Sequence, residues 1–193
     1  MADVTARTLR PSSAPVYGTL FLPTAAEPLA AVLVIGGSGG SEPSYVGQAL
    51  ATEGIAALSV AYFGRDGLPA QLRSIRLEYF FSALETLRSE LPSPATPIAL
   101  LGMSRESEAA MLTAIHTSFR VDAVLATVPG NVVAGGLPPG APAWLLDGQP
   151  LPSADQVGPD CEKAELIPGP VLLIAAGADQ VWSIRRPATR SAI

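Results

Sequence analysis

Residues 97–114 read Pro97-Ile-Ala-Leu-Leu-Gly102-Met-Ser104-Arg-Glu106-Ser-Glu108-Ala-Ala-Met-Leu-Thr-Ala114. A short apolar run, Ile98 to Leu101, meets Gly102, then a hydroxyl at Ser104, then a segment of helix formers. This is the pattern of a strand, a sharp turn and a helix, with the hydroxyl at the apex of the turn. The nucleophile-elbow signature for such a unit is Gly-x-Ser-x-Gly. Here Glu106 stands where the second glycine would be, so the match is partial. The same residues also read as an ordinary helix start. Ser104 would then be an N-cap, and Glu106 and Glu108 the acidic residues that favour a helix N-terminus. Taken alone, the stretch favours the cap.

The surrounding chain shifts that balance. Val16 to Leu22 alternates in strand fashion and is closed by Pro23. Ala30 to Ile35, Ile55 to Tyr62, Ala123 to Val128 and Val171 to Ala176 are apolar runs of buried-strand length. Between them, Tyr45 to Glu53 reads as a helix stopped by Gly54. A longer amphipathic helix is expected from about Pro69 to Leu91, with Leu72, Ile75, Tyr79, Ala83, Leu87 and Leu91 at three- and four-residue spacing. Residues 1–14 are polar and expected to be loosely ordered. Residues 129–170, rich in proline and glycine, read as an irregular, lid-like insertion.

Strands alternating with helices imply right-handed crossovers and a mostly parallel sheet. The expected fold is therefore a three-layer α/β/α sandwich forming one domain over residues 1–193. Sites in such sheets lie outside the carboxyl ends of the strands. Gly36–Gly40, Ser104 and Asp179 all fall at such ends. Their convergence on one rim moves the catalytic reading of Ser104 ahead of the cap.

Composition narrows the class. The chain has 193 residues, 48% hydrophobic and 15% charged, with a mean hydropathy of +0.34. That balance suits a parallel sheet covered on both faces. A net charge of -5 without a basic cluster argues against nucleic acid or an anionic membrane as partner. No run approaches the length of a membrane span, and the N-terminus lacks the pattern of a signal peptide. With one cysteine and one histidine, a zinc site is not expected. The expectation is a metal-free, cofactor-free cytoplasmic domain.

Gly36-Gly37-Ser38-Gly39-Gly40 does not satisfy a dinucleotide fingerprint, because Glu42 occupies the last glycine position. It also lacks the lysine of a phosphate loop. Two readings remain, a plain tight turn and an oxyanion hole. In the second, the amides of Ser38 and Gly39 join that of Arg105. Asp179, after the last buried strand, reads either as a turn aspartate or as the acid that orients a catalytic histidine. No histidine follows it. The sole histidine, His116, lies twelve residues beyond Ser104 on the same helix, ~18 Å along its axis. A base must come within ~3 Å of the hydroxyl it deprotonates, so His116 is not that base. Cys161 sits among Asp160, Glu162 and Glu165, which raise a thiol pKa and lower its reactivity. Trp144, Leu145 and Leu146 read either as the wall of an acyl pocket or as a lid packed on the body.

From about Tyr17 onward the chain resembles the C-terminal hydrolase domain of acyl-CoA thioesterases and bile acid-CoA:amino acid N-acyltransferases, relatives of dienelactone hydrolase. The resemblance rests on Gly36–Gly40, Ala61-Tyr62-Phe63, Leu68-Pro69, Glu78-Tyr79-Phe80, Leu101-Gly102-Met103-Ser104-Arg105, Gly169-Pro170-Val171-Leu172-Leu173-Ile174 and Asp179-Gln180-Val181-Trp182, in that order. It implies an α/β-hydrolase fold and a place in acyl-CoA and fatty acid metabolism. It also implies Ser104 as nucleophile and Asp179 as triad acid. A serine at the elbow is similar to the hydrolytic members, since the transferases carry cysteine there.

Two departures carry expectations of their own. Glu106 is expected to crowd the turn. The residues after Asp179, closing on Arg185 to Ile193, resemble a next helix cut short, so the last strand and histidine loop of the family are expected to be missing. The leading reading is thus a serine hydrolase acting on an acyl thioester through an acyl-enzyme, inert as this chain. The alternative is a non-catalytic hydrolase-like domain that binds an acyl ligand or a partner chain.

Overall fold

The computed structural model describes residues 3–37, 39–130, 132–153 and 164–177. In chain order its principal elements are β1 (Val4–Leu9), β2 (Tyr17–Pro23), β3 (Ala30–Ile35), α1 (Ser44–Thr52), β4 (Ile55–Ala61) and β5 (Ile75–Arg76). They continue with α2 (Glu78–Ser89), β6 (Ile98–Met103), α3 (Arg105–His116), β7 (Ala123–Thr127), β8 (Trp144–Leu146), β9 (Gln149–Pro150) and β10 (Val171–Ile174). Among the described residues, seven strands form the main sheet in the order β1-β2-β4-β3-β6-β7-β10. The pairs β1–β2 and β2–β4 are antiparallel, and the remaining neighbours are parallel.

The central strands sort their side chains by parity, as a pleated strand must. Ala31, Leu33 and Ile35 of β3 join the larger core with Phe80, Leu84 and Leu87 of α2 and Ala109, Ala110 and Leu112 of α3. Val32 and Val34 point the other way, onto Val46 and Leu50 of α1. Two helices on one face and one on the other give three layers. The sandwich expected from the alternation of strands and helices is the one observed.

Three local expectations are corrected. Residues 4–9, expected to be loosely ordered, form β1 on the sheet edge against β2. Four consecutive residues of that strand are exposed, so it carries no apolar run by which to recognise it. The helix expected from Pro69 begins only at Glu78. Upstream, the amides of Ser74, Ile75 and Leu77 donate to the carbonyls of Pro142, Ala143 and Leu145, and that of Leu137 to Leu72. Backbone groups engaged in that pairing are not available to a helix. Leu72 and Ile75 are still buried, so the helical spacing read a buried face correctly but assigned it the wrong backbone. Finally, Trp144 is 1% exposed and lies in the core, stacked among Tyr62 and Phe80. It belongs to β8, which pairs with β5, so the residue read as an acyl-pocket wall or as a lid packed on the body is a core residue of a strand.

Register sets the site. Val34 lies opposite Leu101, and Met103 opposite Thr127. The chain therefore leaves β3, β6 and β7 at one level of one rim.

Candidate active site

At that rim β6 turns into α3 through Ser104, whose backbone sits at φ 57° and ψ -121°. A non-glycine residue there is strained by about 1–3 kcal/mol and persists only where its surroundings enforce it. The enforcement is visible. The Ser104 amide donates to the Thr127 carbonyl at 2.8 Å, and the Ser107 amide donates to the Ser104 carbonyl at 3.0 Å. The Ser107 hydroxyl shares its one proton between the carbonyls of Gly102 (2.9 Å) and Thr127 (3.0 Å). The side chain of Ser104 makes no capping bond to α3. The helix-cap reading therefore fails, and the hydroxyl sits at a strained apex.

Gly102 explains how the turn closes. A Cβ built there would lie 2.0 Å from the Glu106 carbonyl oxygen, so only glycine lets the first helical turn cross the end of β6. Glu106 does not crowd the turn as expected. Its carboxylate accepts the Tyr62 hydroxyl at 2.6 Å, in the core beneath the elbow. Burial pushes the Glu106 carboxyl up to about 7 against the opposing pull of that hydrogen bond. Burial first, and the charge of Glu106 second, push the Tyr62 phenol up as well.

The elbow carries a second buried pair that the sequence reading missed. Arg105 and Glu108 are 5% and 3% exposed, and Arg105 Nη1 donates to Glu108 Oε2 at 2.6 Å. Glu108 Oε1 also accepts the Trp144 indole N–H at 2.6 Å and the Ala134 amide at 3.0 Å. Burial raises Glu108 to about 7, with Arg105 the strongest opposing influence. The available signal was opposite charges three residues apart on a helix packed on all sides. Every residue from Arg105 to Ala114 is buried, and buried charges must be paired.

The glycine loop reaches the rim through Gly37. Gly37, Met103, Glu106 and Thr127 line one cavity of about 430 Å³ at the rim. Gly36 is tightly held, since a Cβ there would meet the Ser41 carbonyl oxygen at 2.1 Å. The Gly40 amide closes a turn onto the Gly37 carbonyl at 2.9 Å. Gly39 is exposed, with open space where a side chain would be. The Arg105 amide opens α3, where helix geometry supplies no carbonyl partner. Ser38, Cys161 and Asp179 lie outside the described residues. His116 is the last residue of α3, at the opposite end from the elbow. Among the described residues no group of three or more His, Cys, Asp or Glu side chains is placed to hold a metal ion. Nor is any helix there long and apolar enough to cross a membrane.

The strand order, the antiparallel β2 at the start and the strained serine between strand and helix define an α/β-hydrolase fold. No family model matches the chain. Its sequence is similar to acyl-coenzyme A thioesterase 1 of Mus musculus, 33% identical over 121 residues, covering 63% of this chain and 28% of that protein. It is also similar to human mitochondrial acyl-coenzyme A thioesterase 2, 32% identical over 131 residues, covering 64% of this chain and 27% of that one. The match to the peroxisomal succinyl-coenzyme A thioesterase of Mus musculus is longer, 29% identical over 190 residues, covering 86% of this chain and 44% of that protein. The chain thus spans less than half the length of these curated relatives. The solved structure described as m3DLH shares the fold, with a TM-score of 0.61 and 17% identity over 94% of this chain and 72% of that one.

Proposed function

We propose that this chain is an acyl-CoA thioesterase-like serine hydrolase that cleaves an acyl thioester through an acyl-enzyme on Ser104. The observation that carries the reading is the backbone of Ser104, strained at the apex between β6 and α3 without capping the helix. In this reading Ser104 Oγ attacks the thioester carbonyl and the thiol leaves, giving an acyl-enzyme that water hydrolyses. The amides of Arg105 and of the glycine loop at Ser38 and Gly39 stabilise the oxyanion. Asp179 orients the imidazole that would deprotonate Ser104. Residues 129–170 are an insertion within the single domain, tied to its core at Trp144 of β8.

The 193 residues supply no such imidazole, because His116 is held at the far end of α3. Loss of the base in another serine hydrolase costs on the order of 10⁶ in turnover, so the chain alone is expected to be nearly inert. The test is thioesterase turnover of acyl-CoA by the purified chain and by Ser104→Ala. Robust, Ser104-dependent turnover would refute the proposed dependence on an absent histidine. Slow labelling of wild type by a fluorophosphonate, absent in Ser104→Ala, is the expected result.

A second reading is a hydrolase-like binding module. It is favoured by β10, where Leu172, Leu173 and Ile174 are each more than half exposed. Among the described residues β10 is the last strand of the sheet, and an edge strand invites pairing with another chain. A wild-type chain that no fluorophosphonate labels, yet that elutes as a complex, would favour it.

A further inference from the structure

Arg105 contributes to the elbow twice. Its amide opens α3 next to Ser104, while its side chain runs back through the core and is fixed at its far end. Nη1 meets Glu108 Oε2 at 2.6 Å, and Nη2 donates to the carbonyls of Gly135 (2.9 Å) and Ala134 (3.2 Å). Glu108 completes the loop of contacts, its Oε1 receiving the Ala134 amide and the Trp144 indole. One turn of α3 thereby holds both backbone groups of Ala134, one carbonyl of Gly135 and the indole of β8.

The Gly136 end of the held segment has its own tie, its amide donating to the Ala141 carbonyl at 2.8 Å, but the side chains of the segment fix little. Gly135 and Gly136 offer no side chains, and Ala134 only a methyl. Residues 134–136 nevertheless form part of the wall of a cavity of about 470 Å³, together with Leu137, Pro139 and Ser153. An apolar pair of the same volume would hold a core helix as well as or better than a buried ion pair. What an ion pair adds is direction, because a guanidinium fork accepts carbonyls in one plane only.

We propose that Arg105 and Glu108 are positioning residues, a buried clamp that seats segment 134–136 and Trp144 against the elbow and fixes the peptide following Ser104. The clamp stands on these contacts alone; its catalytic consequence rests on Ser104 being the nucleophile. Through it the residue that supplies the oxyanion amide also sets the neighbouring cavity wall, so both are displaced together when the clamp opens. Besides Arg105, the titratable groups acting on Glu108 or coupled to it through the core are Glu106 and Tyr62.

The experiment is hydrogen–deuterium exchange on the 193-residue chain, read peptide by peptide. Glu108→Gln places an NH₂ against the donors, and Arg105→Lys keeps the charge but loses the fork. Each is expected to raise exchange at 134–136 by ~10-fold or more while β3 and β4 stay protected. The paired variant Arg105→Met/Glu108→Leu keeps the core filled, and is expected to retain core protection with the segment still released. In a Trp182→Phe background, Trp144 emission reports the same release. Unchanged exchange at 134–136 in these variants, or a uniform rise throughout the chain, would overturn the clamp. Ser104→Ala is expected to leave the exchange pattern intact. Phosphonylation of Ser104 is expected to slow by ~10-fold or more in Glu108→Gln. Absence of any phosphonylation in wild type, with the exchange results as expected, overturns the nucleophile reading and leaves the clamp standing.

Discussion

Two turns leave the same rim from neighbouring parallel strands, and they are built on different principles. Among the described residues the turn after β3 is held chiefly by backbone, with one side chain, Arg65, donating its Nε to the Gly40 carbonyl at 3.0 Å. Gly36 is hemmed in by the carbonyls of Ser41 and Val60, and Gly40 closes onto Gly37. The turn after β6 begins with the same kind of constraint at Gly102, then adds side chains wired into the core, Glu106 to Tyr62 and Arg105 to Glu108. A turn closed chiefly by backbone can present amides; a turn anchored by buried polar side-chain pairs can also hold a strained residue in place. That difference is what makes Ser104, rather than the glycine loop, the candidate for covalent chemistry.

The comparison can be broken first at its shared feature. Gly102→Ala is expected to cost about 4 kcal/mol or more, because the obstructing atoms are helix backbone and cannot step aside. Urea unfolding of the variant measures it. A loss under 1 kcal/mol would mean that α3 can withdraw from β6, and that the elbow is not rigid.

The next effect separates the two buried carboxylates. Glu108→Gln is expected to cost about 2 kcal/mol, since an amide NH₂ would face donors on several sides. Glu106→Gln is expected to cost well under that, because the Tyr62 hydroxyl can rotate to suit an amide. Equal losses for the two variants would erase the distinction between clamp and cushion.

The pH dependence sharpens it further. Burial raises the Glu106 carboxyl from 4.5 to about 7, so the fold binds that proton more tightly than the unfolded chain does. The resulting stability is fully present below about pH 4.5 and is lost as pH rises through 7. Denaturation at pH 5.5 and 8 is therefore expected to show a decline in wild type, and a smaller one in Glu106→Gln. An unchanged slope in the variant would assign the decline elsewhere.

Ser104→Gly is expected to raise stability by about 1 kcal/mol, since glycine adopts the strained backbone freely. Ser104→Ala, which retains a Cβ, is not expected to share the gain. Smallest of all, Gly39→Ala in the open part of the glycine loop is expected to fall within about 0.5 kcal/mol of wild type. Thermal melts decide both.

Much of the scaffold was legible in the sequence because parallel strands are buried on both faces and therefore read as apolar runs. β3, β4, β6 and β7 announce themselves that way; β10 also reads as an apolar run, but the burial expected of it is corrected, since Leu172, Leu173 and Ile174 are each more than half exposed. β1 does not, because an exposed edge strand needs no apolar residues. The first third of the expected long helix was lost to another cause. Residues 72–77 have a helical pattern of buried positions, but their amides are claimed by 142–145, a partner that lies seventy residues away in sequence. At the site, Gly102 and Ser104 could be found by spacing, whereas the roles of Glu106 and Glu108 could not. Acidic residues at a helix start are explained equally well by the helix dipole, and only the packing of β4 and β8 beneath α3 distinguishes the two.

The alternation of strands and helices, the layers and the place of the serine at the rim were thus set by local pattern, because burial and turn chemistry are written residue by residue. Tertiary structure alone decided that Ser104 is strained rather than capping, that Glu106 fits where a glycine was expected, and that Trp144 is core rather than lid. Each of those depends on which distant backbone or side chain arrives at the elbow. A carboxylate becomes an anchor only when Tyr62 or Arg105 is there to meet it.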